Sequence, residues 1–282
     1  MFKKIVIAGV GLIGGSVGLA VRKRKIAREI VGLCRREISC RKAVASGAVH
    51  TATMDVRKAV KGAGLIIIST PISRIAGIAK EAAKYADKGT IITDAGSTKK
   101  DVIKAIGDMP SGVHFVGSHP MAGSEKTGVS NAYPALFEKS VCVVTRTVKT
   151  DGRAFLTVKK FWKSLGADVK VLSPDEHDEL VAFISHLPHA VSFALSRTAE
   201  NKSLVFAANS FRDMTRVAAS DPVLWHDIFM TNKKNLLSAV KRFKRNLSDM
   251  ENSIRKNDSK KLLKLIEEAR SKRLLLNNKK YD

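Results

Sequence analysis

His119 is the residue with the clearest capacity for chemistry. It lies in Gly117-Ser118-His119-Pro120-Met121-Ala122-Gly123, directly after an apolar run that reads as a strand, so a sheet delivers its imidazole to one edge. An unperturbed imidazole titrates at about 6.5 and can take up a proton at neutral pH, the property of a general base. The plain alternative is a histidine that caps a turn. Ser97, in Asp94-Ala95-Gly96-Ser97-Thr98, reaches the same edge from the preceding strand. It can hydrogen-bond the hydroxyl that His119 would deprotonate, or it can simply cap the helix that follows.

His186 and His189 flank Leu187-Pro188 in a helical stretch that is apolar nearly all round. Buried imidazoles need partners, so both are either satisfied core histidines or substrate contacts. No Asp, Glu or Cys stands at complementary spacing, which argues against a metal site. A serine hydrolase is also disfavoured, because Gly-x-Ser-x-Gly is absent and Ser118 beside His119 has no evident orienting acid. Phe211-Arg212-Asp213-Met214-Thr215-Arg216 is a polar cluster inside apolar helical sequence. An arginine there can grip a carboxylate with two parallel hydrogen bonds, and that carboxylate belongs either to Asp213 or to a substrate. Asp221-Pro222 opens the next helix, with Trp225 in its first turns.

The elements that must position these groups begin at Ile5 to Ser16, IVIAGVGLIGGS. Ile5 to Ile7 suit a strand buried on both faces. Gly9, Gly11 and Gly14 then supply a tight turn, a close backbone approach to a pyrophosphate, and close helix-to-strand packing, with the helix N-terminus at Leu12 and Ile13 facing the phosphates. The strand before and the apolar helix after separate this run from a glycine-rich turn without a ligand. It marks a dinucleotide site. The next strand, Glu29 to Leu33, leads into Cys34-Arg35-Arg36. In the NAD form of this fold an acid about twenty residues past the glycines binds the ribose hydroxyls. Cys34 stands there instead, and the arginines suit the 2′-phosphate of NADP unless they are simply part of a basic surface. NADP is therefore expected, with NAD as the alternative.

Leu65 to Ser69 is a further strand that brings Ser69, Thr70 and Pro71 to the cofactor edge, ahead of a helix over Ile72 to Tyr85. Thr90 to Thr93 and Phe115 to Ser118 are expected to join the same sheet. Val141 to Thr145 and Val169 to Leu172 would complete it around a helix from about Gly152 to Leu165. From Ser173 the chain reads as helices, with a proline kink at Pro188 and later helices over about Asp221 to Leu247 and Asn252 to Arg273. The expected fold is an α/β Rossmann-type N-terminal domain with a mostly parallel sheet, residues 1–172, followed by an all-α domain, residues 173–282.

A chain of 282 residues, 44% hydrophobic, is long enough for two such cores. The formal charge of +24 invites a nucleic-acid reading. The basic residues are spread along the chain, however, without interleaved aromatics or a recognised motif, so a solvated surface that attracts anionic ligands is expected and nucleic acid is not. No apolar run reaches about eighteen residues and Met1 to Lys4 leads straight into a strand, so neither a membrane span nor a signal peptide is expected and a cytoplasmic location is. Cys34, Cys40 and Cys142 are odd in number and lack C-x-x-C spacing, as reduced thiols would be.

Six stretches together resemble the prephenate and arogenate dehydrogenase family: VGLIGGS (10–16), TPI (70–72), TDAGSTK (93–99), GSHPMAGSEKTG (117–128), SHLPHAVSFAL (185–195) and FRDMTRVAASDPVLW (211–225). A hydroxyacid or imine dehydrogenase of the same two-domain shape would share only the glycine turn. The resemblance implies oxidative decarboxylation of a cyclohexadienol, in which hydride leaves ring carbon 4 for NAD(P), carbon dioxide leaves carbon 1, and the ring becomes aromatic. It implies that His119 is the base, assisted by Ser97, that His189 contacts substrate, and that Arg216 binds a carboxylate. It further implies a polar network from Ser124, Glu125 and Asp213, a pocket closed by Trp225, room beside the ring at Gly117 and Gly123, and a homodimer formed by the helical domain. Many relatives carry Asp where Cys34 stands. Ending near residue 282, the chain is expected to lack a fused mutase or regulatory domain.

Overall fold

The structure is a computed structural model that describes residues 1–123 and 126–278. Met1–Lys233 and Lys234–Asp282 are its two compact units. In the first, β1 (Phe2–Ala8), β2 (Ala27–Leu33), β3 (Thr51–Thr53), β4 (Leu65–Ile68), β5 (Ile91–Asp94) and β6 (His114–Val116) form one parallel sheet in the order β3-β2-β1-β4-β5-β6. Helices α1 (Leu12–Lys23), α2 (Glu37–Ala45), α3 (Val56–Val60), α4 (Ile72–Tyr85), α5 (Lys100–Ile106) and α6 (Gly152–Ser164) accompany it. Successive residues of β1 face opposite ways: Ile5 and Ile7 pack with Val17, Ala20 and Val21 of α1, while Val6 and Ala8 pack with Ile75, Ala79 and Ala82 of α4. Both faces are covered, which is why these strands are unbroken apolar runs. The strand order reverses between β1 and β4, where sheets of this kind bind their ligands.

The strand expected over Phe115 to Ser118 is divided between two sheets. β6 stops at Val116, and β7 (Ser118–Pro120) runs antiparallel to β8 (Val141–Thr145), which pairs in parallel with β9 (Asp168–Leu172). The changeover is at Gly117: its carbonyl accepts from Thr145 N at 2.9 Å, and a Cβ there would lie 2.6 Å from Thr145 Oγ1. Consequently β8 and β9 belong to a separate three-stranded sheet and not to the parallel one as expected. His119 sits within a strand and not on a loop.

Beyond β9, α7 (Pro174–Val181) opens on a reciprocal cap in which Ser173 Oγ accepts from Glu176 N and Glu176 Oε2 accepts from Ser173 N. A five-residue π-helical segment, Ala182–His186, joins it to α8 (Leu187–Thr198). Pro188 cannot donate an N–H and would clash with the carbonyl four residues back in an α-helix. The wide turn lies immediately ahead of the proline at which a kink is expected. α9 (Asn209–Thr215) runs into a single 3-10 turn, Arg216–Ala219, before α10 (Pro222–Thr231), capped by Asp221. α11 (Lys233–Arg255) and α12 (Ser259–Asn278) follow. The single long helix expected from Asp221 is interrupted at Asn232, whose side-chain amide turns inward to Asp178 O at 2.6 Å. Asn257, with φ of 51°, closes α11.

Candidate active site

The glycine turn is shaped as its spacing suggests. Gly9 has φ of 90°, and a Cβ on Gly14 would lie 2.1 Å from Gly9 O. At Gly11 a Cβ would meet nothing within 4 Å among the described residues, and Gly11 borders a cavity of about 600 Å³. Gly9, Gly11, Cys34, Arg35, Arg36 and the run Ser69-Thr70-Pro71 all border it, while Leu12, Ile13 and Gly14 form the first turn of α1 beside it. A side chain at Gly11 would fill the cradle that a pyrophosphate needs, so the residues present fit a dinucleotide. Ser39, Lys42 and Arg74 also line the cavity and were missed in the sequence. Ser39 and Lys42 lie three apart, on one face of α2, a signal that becomes readable once that helix is assigned. Arg35 and Arg36 are exposed. Glu37, the nearest acid in sequence, is engaged by Arg41 at 2.6 Å. Burial, with Cys40 beside it, pushes the Cys34 thiol up to about 12, so this side chain brings no negative charge to the cavity.

His119, in β7 and half-buried, is the outer end of a chain whose other members are buried. Its Nδ1 lies 2.9 Å from His177 Nε2, and His177 Nδ1 lies 2.7 Å from Asp178 Oδ1. Asp178 also accepts from the backbone N–H groups of Lys99 at 2.8 Å and Lys100 at 2.9 Å. With the aspartate as acceptor, His177 carries its proton on Nδ1 and presents a lone pair on Nε2. His119 must then donate from Nδ1, which leaves the lone pair on its own Nε2. Burial holds the His119 imidazole well below the usual range, and the neighbouring charges of His177, Lys99 and His186 act in the same direction. The site is thus set for an unprotonated base. His177 and Asp178 were not singled out in the sequence; nothing in their spacing marks them as buried.

The helical residues cluster alongside. His186 is buried, its Nδ1 3.2 Å from the Asn232 amide, and burial lowers its pKa to about 4. His189 donates from Nδ1 to Ser185 O at 2.9 Å and stacks on Trp225 at 3.5 Å between ring centroids. Arg216 is near enough that its charge, after burial, depresses the His189 pKa. Asp213 is exposed on α9. Ser97 is half-buried between β5 and α5 and does not cap α5, whose N-cap position is held by Lys99. The room at Gly117 is occupied by Thr145 and Lys99 and not by open space, whereas among the described residues a Cβ on Gly123 would meet only Ile13, at 3.9 Å. Ser124 and Glu125 lie outside the described residues.

Family models for the nucleotide-binding domain and the dimerization domain of prephenate dehydrogenase match residues 17–171 and 173–268. The chain belongs to the prephenate dehydrogenase family. It is 35% identical to a prephenate dehydrogenase of Bacillus subtilis over 95% of this chain and 75% of that one. It is 31% identical to a cyclohexadienyl dehydrogenase of Zymomonas mobilis over 98% and 97% of the two chains. The solved prephenate dehydrogenase of A. aeolicus, in complex with hydroxyphenyl propionate and NAD+, superposes with a TM-score of 0.91 at 31% identity, covering 98% of this chain and 99% of that one. The enzyme is accordingly an NAD(P)-dependent oxidoreductase that oxidatively decarboxylates prephenate or arogenate in tyrosine biosynthesis. Among the described residues no helix is long and apolar enough to cross a membrane.

Proposed function

We propose that His119 is the base of this decarboxylating dehydrogenase. The observation that supports it is the His119–His177–Asp178 chain, which leaves a lone pair on His119 Nε2. The proton of the ring hydroxyl passes to that nitrogen as hydride leaves carbon 4, and the electrons of the breaking bond to carbon dioxide enter the ring and make it aromatic. Asp178 then steadies the positive charge on the paired imidazoles. When bound, the nicotinamide supplies the hydride acceptor. Ser97 donates to the same hydroxyl, and Arg216 grips a substrate carboxylate with a planar fork that a lysine lacks. His189, held flat against Trp225, and the buried His186 line the ring pocket, with Asp213 near its rim; Ser124 and Glu125 are proposed as substrate contacts on the resemblance alone.

NADP is the preferred cofactor in this reading. Arg35 and Arg36 with Lys42 offer a cationic bed at the 2′ position, and the neutral Cys34 does not repel a phosphate. The functional boundary between cofactor and substrate domains falls at residue 172, and the protein acts as a cytoplasmic homodimer. Exposed Leu263 and Ile266 on α12 are apolar positions that a second copy would cover. The test is turnover of prephenate and of arogenate, each with NAD+ and with NADP+. Reduced cofactor is expected with at least one acid and faster with NADP+; no turnover of either acid overturns the reading.

A further inference from the structure

Lys99 and Asp94 form an ion pair with both side chains fully buried, and the chemistry above does not use it. Removing two charges from water is costly unless their hydrogen bonds are well met, and here those bonds converge on one residue. Lys99 Nζ donates to Ser118 O at 2.8 Å, and Ser118 N donates to Asp94 Oδ1 at 3.1 Å. Ser118 Oγ donates to Asp94 O and lies 2.9 Å from Trp162 Nε1, which donates to it. Ser118 is the first residue after the chain leaves the parallel sheet at Gly117, and His119 is next. At its other end Lys99 donates its backbone N–H to Asp178, the carboxylate behind His177. Two glycines make room for the pair: a Cβ on Gly96 would lie 2.8 Å from Asp94 Oδ2, and one on Gly117 would lie 3.3 Å from Lys99 Cδ.

We propose that Lys99 and Asp94 are positioning residues for the base, a clamp on both sides of Ser118 that sets where β7 holds His119. This rests on His119 being the base. The ammonium has a second effect, because its charge opposes protonation of His119. The groups around that imidazole are His177 and Asp178 on α7, Lys99 and Asp94 across from β7, His186 in the π-helical segment, and the buried Cys142 on β8. Burial keeps the Cys142 thiol protonated, so it adds no charge.

The test replaces the pair with an uncharged one, Asp94→Asn with Lys99→Gln, and asks for kcat and for the pH profile of kcat/KM. Provided circular dichroism and dinucleotide binding match the parent, kcat is expected to fall about tenfold or more. The acid limb is expected to move up, since Lys99, whose charge opposes protonation of the imidazole, has been neutralised together with its partner. Gly96→Ala drives a methyl against the Asp94 carboxylate while keeping both charges, and it carries the test if the double variant does not fold. It too should lower kcat, with a smaller movement of the acid limb. An unmoved acid limb in the folded double variant, or a kcat within about twofold of the parent in either variant, overturns the proposal. Full activity in His119→Asn would instead remove the base reading on which it rests.

Discussion

The nucleotide cavity and the histidine chain are built on opposite plans. The cavity is made of short contiguous segments at the ends of β1, β2 and β4, and its cations, Arg35, Arg36 and Lys42, are exposed. Charges so placed are partly screened by solvent, so each acts more weakly than a buried one. The histidine chain draws Asp94 and Lys99, His119, His177 and Asp178, and Asn232 from distant parts of the sequence into a buried row in which each group's bonds are assigned. Leaving one such group unsatisfied costs about 1–3 kcal/mol and changes the proton positions of its neighbours. Substitutions in the cavity should therefore shift a preference, whereas substitutions in the chain should stop the chemistry.

The largest effect is expected at the base. His119→Asn should fold, bind dinucleotide and lose about a hundredfold or more in kcat. Asp178→Asn probes the same point from two links along the hydrogen-bond chain. Its amide can donate to His177 Nδ1, which would turn both imidazoles over and put a proton on His119 Nε2, so a loss of about a hundredfold is expected there too, with KM changed much less. A kcat near the parent's in Asp178→Asn would mean that the proton positions do not govern the base. In the parent, kcat/KM should hold to pH values below about 6.5, because a depressed histidine pKa keeps the base form present where an ordinary imidazole would already be protonated.

Next in size is the cofactor cavity. Cys34→Asp offers the ribose hydroxyls an acceptor and repels a 2′-phosphate, so the ratio of kcat/KM for NADP+ over NAD+ should fall by about tenfold to a hundredfold. An unchanged ratio would return Arg35 and Arg36 to the general basic surface. The smallest effect is expected from Arg216→Lys, where the charge survives but the fork does not. KM for the cyclohexadienol should rise by about tenfold with little change in kcat. An unaltered KM would make Arg216 a structural residue.

By itself the sequence determined the parts whose information is local. Gly9, Gly11 and Gly14 between an apolar strand and an apolar helix announce the dinucleotide turn because each glycine answers a constraint set by its immediate neighbours. Cys34-Arg35-Arg36 follows at the right distance, and the cap at Ser173 marks where the helices begin. Only tertiary structure decided the rest. Whether β8 extends the parallel sheet or leaves it depends on Thr145 meeting Gly117 across 28 residues, and periodicity carries no such information. His177 and Asp178 look like polar residues in an exposed helical turn until β7 and the start of α5 close over them. Asp94 reads as a turn residue and Lys99 as the start of a helix until both are buried against Ser118. Burial of a polar group depends on which distant partner satisfies it, and that pairing exists only once the chain has folded.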